Sequence, residues 1–193
     1  MSGIFIVIGG IDGCGSTTHC KLIYDWIKEN YRYGVVLTKE PSEGKIGKLL
    51  REYLKDDSSD IKTDALLFAA DRAEHVEKTI LPALNKGMVV ISDRYIESSI
   101  AYQVSQGLKL KWILKLNQYF IRPNLTIILD LPAEDALKRK QNKEDKFENL
   151  VFLKKVRKIY LKYARKFNYK IINSDRNIET VQDKIREIIK EIL

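Results

Sequence analysis

The sequence predicts an α/β fold, a parallel five-stranded sheet flanked by helices, on three observations. Short β-branched runs alternate with longer amphipathic stretches from one end of the 193-residue chain to the other, the pattern left by strand, crossover helix and parallel strand in succession. A composition of 45% hydrophobic and 31% charged residues is that of a chain able to bury a core. No internal repeat, low-complexity tract or Pro/Ser/Gly linker interrupts it, so residues 1–193 read as a single domain of ordinary size.

The strands are expected at Ile4–Ile8, Val35–Thr38, Met88–Ser92, Thr126–Asp130 and Lys170–Ile172. Between and after them the helical period predicts Ser16–Asn30, Ile46–Lys55, Thr63–Lys86, Ser98–Gln106, Lys111–Phe120, Ala133–Lys140, Phe147–Lys166 and Ile178–Ile192. Gly34 and Gly87 stand just before strands, where a helix ends, and Pro132 follows a strand, where its fixed φ can open a helix. On the helix over 147–166, Val151, Phe152, Val156, Ile159, Tyr160 and Tyr163 recur at helical spacing and predict a buried face with lysines opposite.

Several function classes fall away. The apolar runs are far shorter than the roughly 18 residues of a spanning helix, and the N-terminus enters a strand pattern without a basic leader, so a cytoplasmic protein with no membrane partner is expected. Cys14 and Cys20 are too few for a disulfide framework and read as free thiols. The net charge of +8 is spread along the chain without a nucleic-acid recognition motif, so no nucleic-acid partner is expected. His19 and His75 lie near no nucleophile or metal pattern and are read as incidental, and Trp26 and Trp112 as packing residues.

The chemistry starts directly after the first strand, with Gly9-Gly10-Ile11-Asp12-Gly13-Cys14-Gly15-Ser16-Thr17-Thr18. Gly10 and Gly15 have the spacing of the phosphate-binding G-x-x-x-x-G-K-[ST] loop, in which backbone N–H groups and a helix N-terminus hold phosphate oxygens. Residues Gly10, Ile11, Asp12, Gly13, Cys14, Gly15, Ser16, Thr17 and Thr18 are the candidate cradle for ATP phosphates. Thr17 has the hydroxyl position that ligates magnesium in the motif. Ser16 stands where the motif has lysine. One charge-assisted hydrogen bond contributes about 1.5–3 kcal/mol, so its loss slows phosphoryl transfer roughly ten- to a hundredfold unless another cation compensates. Lys39, Arg94 and a basic loop containing Arg139, Lys143 and Lys146 are the candidates; Lys21 lies about a turn too far along its helix.

Four further segments resemble the thymidylate kinase family, which with the loop cover nearly the whole chain in the family's order. Thr38-Lys39-Glu40-Pro41 resembles the family's T-R-E-P, with Lys39 in place of arginine, and Ile46 to Arg51 follows it. Leu66-Leu67-Phe68-Ala69-Ala70-Asp71-Arg72-Ala73-Glu74-His75-Val76 resembles L-L-F-A-A-D-R-A-x-H-V. Phe68 and Arg72, four apart, share a helix face, where a ring can stack on a base and a guanidinium can donate to its carbonyl. Asp93-Arg94-Tyr95-Ile96-Glu97-Ser98-Ser99-Ile100-Ala101-Tyr102-Gln103 resembles D-R-Y-x-x-S-x-x-A-Y-Q, at the C-terminal end of a predicted strand. Leu129-Asp130-Leu131-Pro132, Ala136-Leu137-Lys138-Arg139 and Asp145-Lys146-Phe147-Glu148 resemble the family's L-D-L-P, A-L-x-R and D-R-x-E, which makes about 138–148 a short lid.

The resemblance implies a nucleoside-monophosphate kinase architecture, magnesium-dependent transfer of the ATP γ-phosphate to dTMP, and a homodimer. It implies Asp12, Glu40, Arg51, Phe68, Arg72, Arg94, Ser98, Ser99, Tyr102 and Gln103 as acceptor-binding residues, with Tyr102 crowding the sugar 2′ position. Arg94, Arg139, Asp12 and Lys39 are implied as catalytic, and Thr17 and Asp93 as candidate magnesium ligands. The alternative is a protein that binds nucleotide without turnover, having lost its lysine.

Overall fold

In a computed structural model that describes residues 3–55, 59–139 and 149–193, strand β1 (Ile4–Gly10) runs through the middle of a five-stranded, all-parallel sheet. The order is β2 (Val35–Lys39), β3 (Val89–Asp93), β1, β4 (Leu125–Asp130), β5 (Lys170–Asn173). A central parallel strand is covered on both faces, which is why β1 is apolar throughout and not alternating. Ile6 and Ile8 pack with Ile23 and Ile27 of α1 (Ser16–Asn30) and Ile185 and Ile189 of α9 (Ile178–Lys190). Phe5 and Val7 point the other way, toward Ile100 of α5 (Ile96–Ser105) and Ile113 of α6 (Leu110–Leu116). Each such side chain contributes about 1.5–3 kcal/mol by burial.

The expected helix over 63–86 is three pieces. Asp60 caps α3 (Ile61–His75) by accepting from the N–H groups of Lys62 and Thr63. A π-helical turn over Val76–Ile80 follows, then α4 (Leu81–Asn85). Pro82 in the first turn of α4 explains the break: it has no N–H to donate four residues back, and the wider turn accommodates its ring. Strand β1 continues to Gly10, two residues past the expected end, while α6 stops at Leu116 because Asn117 turns its side chain back onto Ile113 O.

Helix α8 (Leu150–Lys166) is capped by Asn149 and buries Leu153, Val156, Tyr160, Tyr163 and Ala164. Val151, expected on the buried face, is 76% exposed. It sits two residues before Leu153, about 200° round the helix and so on the opposite side. Arg157 of α8 makes a two-pronged ion pair with Asp130 at the end of β4, at 2.6 and 3.0 Å, fixing this helix to the sheet. Helix α2 (Lys45–Leu54) packs on α3, and α7 (Ala133–Arg139) leads into the expected lid. Of that lid only Lys138, Arg139 and the flank from Asn149 onward are described; Lys143 and Lys146 lie outside the described residues. Among the described residues no helix is long and apolar enough to cross a membrane.

Candidate active site

The loop after β1 turns on two glycines in the left-handed region, Gly13 at φ 82° and Gly15 at φ 94°. A side chain at Gly13 would bring its Cβ within 2.5 Å of Ala136 O, so the close approach of α7 also demands glycine there. Gly15 is the N-cap of α1, which leaves the first N–H groups of that helix directed at the loop's concavity. Thr17 Oγ1 donates to Asp93 Oδ2 at 2.5 Å, while Asp93 Oδ1 is buried with no hydrogen-bond partner among the described residues. Cys14 packs beneath the loop against Gly10, and burial pushes its thiol pKa up, so it is an inert packing group.

Arg94 follows β3 with φ 73°, a left-handed conformation that costs a non-glycine residue about 1–3 kcal/mol. Its backbone is pinned on both sides, its N–H donating to Ile8 O at 3.0 Å and its carbonyl accepting from Ser92 Oγ at 2.7 Å. The strained backbone turns the guanidinium back across the sheet end. There it donates to Asp12 Oδ1 at 2.7 Å and Gly10 O at 3.0 Å, and lies 5.4 Å from the centre of the Tyr102 ring. Tyr102 Oη in turn accepts from Asp12 N–H at 3.0 Å, so loop and arginine share one support.

Arg72 is 1% exposed and makes four hydrogen bonds through its guanidinium. Its Nε and Nη2 donate to Glu40 Oε2 at 2.9 and 2.6 Å, Nη1 to Asn117 Oδ1 at 2.5 Å, and Nη2 to Ser99 Oγ at 3.1 Å. Glu40 Oε1 lies 3.2 Å from His75 Nδ1, whose Nε2 is 2.6 Å from Thr38 Oγ1. A buried guanidinium needs this much pairing, since an unpaired charge there costs several kcal/mol. Asp71, beside Arg72, accepts from the N–H and the hydroxyl of Ser42 and so fixes the loop after Glu40-Pro41. Burial raises the Asp71 pKa against those hydrogen bonds.

Two clefts meet at this point. One is walled by Glu40, Phe68, Arg72, Ser98, Ser99, Tyr102 and Gln103; the other by Gly13, Gly15, Ser16, Thr17, Thr18 and Arg139. Asp12 and Arg94 line both. Gln103 lines the first cleft while 2% exposed, and its Nε2 is buried with no hydrogen-bond partner among the described residues. Arg139 lies over the β5–α9 connection, donating to Ser174 O at 3.2 Å.

Several expected residues stand apart from both walls: Gly10, Ile11, Cys14 and Asp93 line neither cleft, Ile11 and Cys14 being turned into the core, and neither do Arg51 and Lys39. Arg51 donates to Pro41 O at 2.9 Å and pairs with Glu43 at 3.1 Å. Lys39 pairs with Glu43 at 3.0 Å and lines a third cavity, shared with Thr17, His75 and Asp93.

The family model described as thymidylate kinase matches residues 8–185. The chain belongs to the thymidylate kinase family. It is accordingly an enzyme, a nucleoside-monophosphate kinase of the phosphotransferase class. A relative from Pyrococcus abyssi, named "Probable thymidylate kinase", is 46% identical over 203 aligned residues that cover 100% of this chain and 98% of its own. Relatives of the same name from Pyrobaculum calidifontis and Methanococcus maripaludis are 44% and 40% identical, each covering 98% of this chain and 97% and 92% of their own.

Within this thymidylate kinase framework the structure adds residues that the sequence did not single out. Arg176 and Asn177 line the second cleft from the β5–α9 connection, and Asn177 also caps α9 by accepting from Thr180 N–H. Their signal was position alone, the turn at the C-terminal end of a parallel strand. Asn117 is a full partner of Arg72. Neither histidine is incidental: His75 bridges Glu40 and Thr38, and His19 meets Gln182 of α9.

Proposed function

We propose that this protein transfers the γ-phosphoryl group of ATP to the phosphate of dTMP, giving ADP and dTDP. The observation that carries the reading is that Arg94 and Asp12 line both clefts, so one guanidinium serves the place where a donor phosphate and an acceptor phosphate meet. Phosphoryl transfer between phosphates needs alignment and charge stabilisation more than a general base. The loop N–H groups and the α1 N-terminus hold the donor phosphates. Phe68, Arg72, Ser99, Gln103 and Tyr102 receive the acceptor nucleoside, with the Gln103 amide as a fixed donor. Arg94 and Arg139 supply the positive charge that Ser16 cannot. Lys39 and Arg51 act at the acceptor phosphate once released from Glu43, an exposed carboxylate that water competes for readily.

Magnesium fits the residues present. Thr17 and Asp93 offer hard oxygen donors at one point, and the buried Asp93 Oδ1 lacks another partner among the described residues. Bound there, the ion supplies charge neutralisation on the phosphates and leaves alignment to Arg94 and the loop. The same reading makes it a cytoplasmic enzyme acting on small nucleotides, and a homodimer would cover Leu49, Tyr53 and Leu66, exposed on the packed pair α2 and α3.

The test is a phosphotransfer panel: with ATP and magnesium, ADP formation is expected far faster with dTMP than with UMP, CMP or AMP. Ser16 favours a second reading, nucleotide binding without turnover. Tight ATP binding with no ADP formed across the panel would establish it in place of the first. Sedimentation velocity checks the dimer, which a monomer at micromolar concentration would exclude.

A further inference from the structure

His19 lies on the first turns of α1, one residue past Ser16-Thr17-Thr18, and its ring walls the phosphate cleft although only 5% of the residue is exposed. Gln182 of α9 holds it from behind. One amide nitrogen, Gln182 Nε2, reaches both His19 Nδ1 at 2.7 Å and His19 O at 3.2 Å. The backbone carbonyl can only accept, so that amide atom is the donor, and turning the amide over would set Oε1 against the carbonyl. A ring nitrogen that accepts carries no proton, so the proton of the neutral imidazole sits on Nε2. Burial and the Arg139 charge both lower the ring's pKa, which keeps it neutral.

The protonated edge faces the loop. An added Cβ at Gly15 would lie 3.5 Å from His19 Cδ2 and 3.8 Å from Nε2. Holding the ring this way leaves Gln182 Oε1 buried without a hydrogen-bond partner among the described residues, a cost that an apolar pair at the two positions would avoid. The pair therefore does more than fill space between α1 and α9.

We propose that His19, locked in its Nε2–H tautomer by Gln182, donates a hydrogen bond to an oxygen of the bound nucleoside triphosphate. Gln182 is the positioning residue and His19 the binding residue; this rests on the reading that ATP occupies the cleft. A neutral donor holds the nucleotide equally in ground and transition states, so its loss raises KM for ATP and leaves kcat nearly unchanged. By contrast Arg139, a cation, acts on kcat.

Two measurements test it together. In His19→Ala and His19→Phe, KM for ATP is expected to rise about 2- to 12-fold, the loss of one neutral hydrogen bond, with KM for dTMP unchanged. Gln182→Met, which frees the ring but keeps its bulk, is expected to raise KM for ATP by less. The second measurement needs no variant. Side-chain nitrogen NMR of the wild-type protein is expected to show the Nε2–H tautomer of His19 and a shift of Nε2 when a non-hydrolysable ATP analogue binds. An unmoved Nε2 resonance in protein that calorimetry shows to be saturated with the analogue would overturn the inference and leave the ATP reading standing. No heat of binding in the wild-type protein would overturn that reading, and the inference with it.

Discussion

Arg94 concentrates the residue-scale chemistry, because a strained backbone, an ion pair to Asp12 and a ring beneath it all set one guanidinium between two clefts. Arg94→Ala is expected to lower kcat at least a hundredfold, and Arg139→Ala more than Ser16→Ala, on the proposal that cations and not the serine take the place of the loop lysine. Steady-state rates at saturating ATP and dTMP decide this; an unchanged kcat in Arg139→Ala would remove that side chain from the transition state. Glu97 offers a test of stability. Its carboxyl is buried against Gly9, and burial, outweighing a hydrogen bond from Ser98, pushes its pKa up to about 7 from 4.5. Between those values the folded protein keeps a proton that the unfolded chain has lost, so stability falls as pH rises from about 4.5 through 7. The total loss is on the order of 3 kcal/mol. Thermal melts from pH 5 to 8.5 should show Glu97→Gln losing this slope and overtaking the wild type above pH 7; parallel curves for the two proteins would refute it. Phe68, Arg72 and Arg94 were legible in sequence because their neighbours form contiguous motifs. Asn117 and Gln182 were not, because their partners come from 45 and 163 residues away.

The same separation operates between elements. The alternation of strand and helix was readable because burial on both faces and helical period are local properties of the chain. The sheet order β2–β3–β1–β4–β5 was not, since it depends on which strands meet across crossovers. The π-helical turn before Pro82 escaped as well, because a proline near a helix start is equally compatible with an unbroken helix. The Arg72–Glu40 pair shows what joins elements: α3, the residue after β2 and α6 are tied by one buried guanidinium and its partners. Breaking it from one side leaves an unpaired charge. Glu40→Ala is expected to destabilise the fold by about 3–5 kcal/mol, while the apolar pair Glu40→Leu with Arg72→Met recovers most of that loss. Denaturant unfolding of the single and double variants measures the coupling, and simple additivity of the two single losses would show that the pair is not a structural tie. dTMP binding should be lost in all of these variants, because Arg72 and Glu40 also line the cleft proposed for the acceptor.

For the whole molecule, the walls of the two clefts come from residues as distant as Asp12 and Ile178, contributed by the loop after β1 and by α3, α5, α7 and the start of α9. Ligands that bridge such walls bind the folded chain and not the unfolded one, so they stabilise every element that must stay in place to form the site. If residues 1–193 are one cooperative unit, heating gives one transition that moves as a whole. A nucleotide at about 100 times its Kd adds about 2.7 kcal/mol, which for a chain of this length corresponds to a rise of roughly 5–11 °C in Tm. ATP with magnesium and dTMP, added separately, are each expected to shift the single transition. Both together are expected to shift it by more than either, because Arg94 and Asp12 are then held from two sides. Calorimetry would overturn this by resolving two transitions of which only one responds to nucleotide: the sheet edge at β5 and α9 would then melt apart from the acceptor cleft, and the shared wall at Arg94 could not couple them.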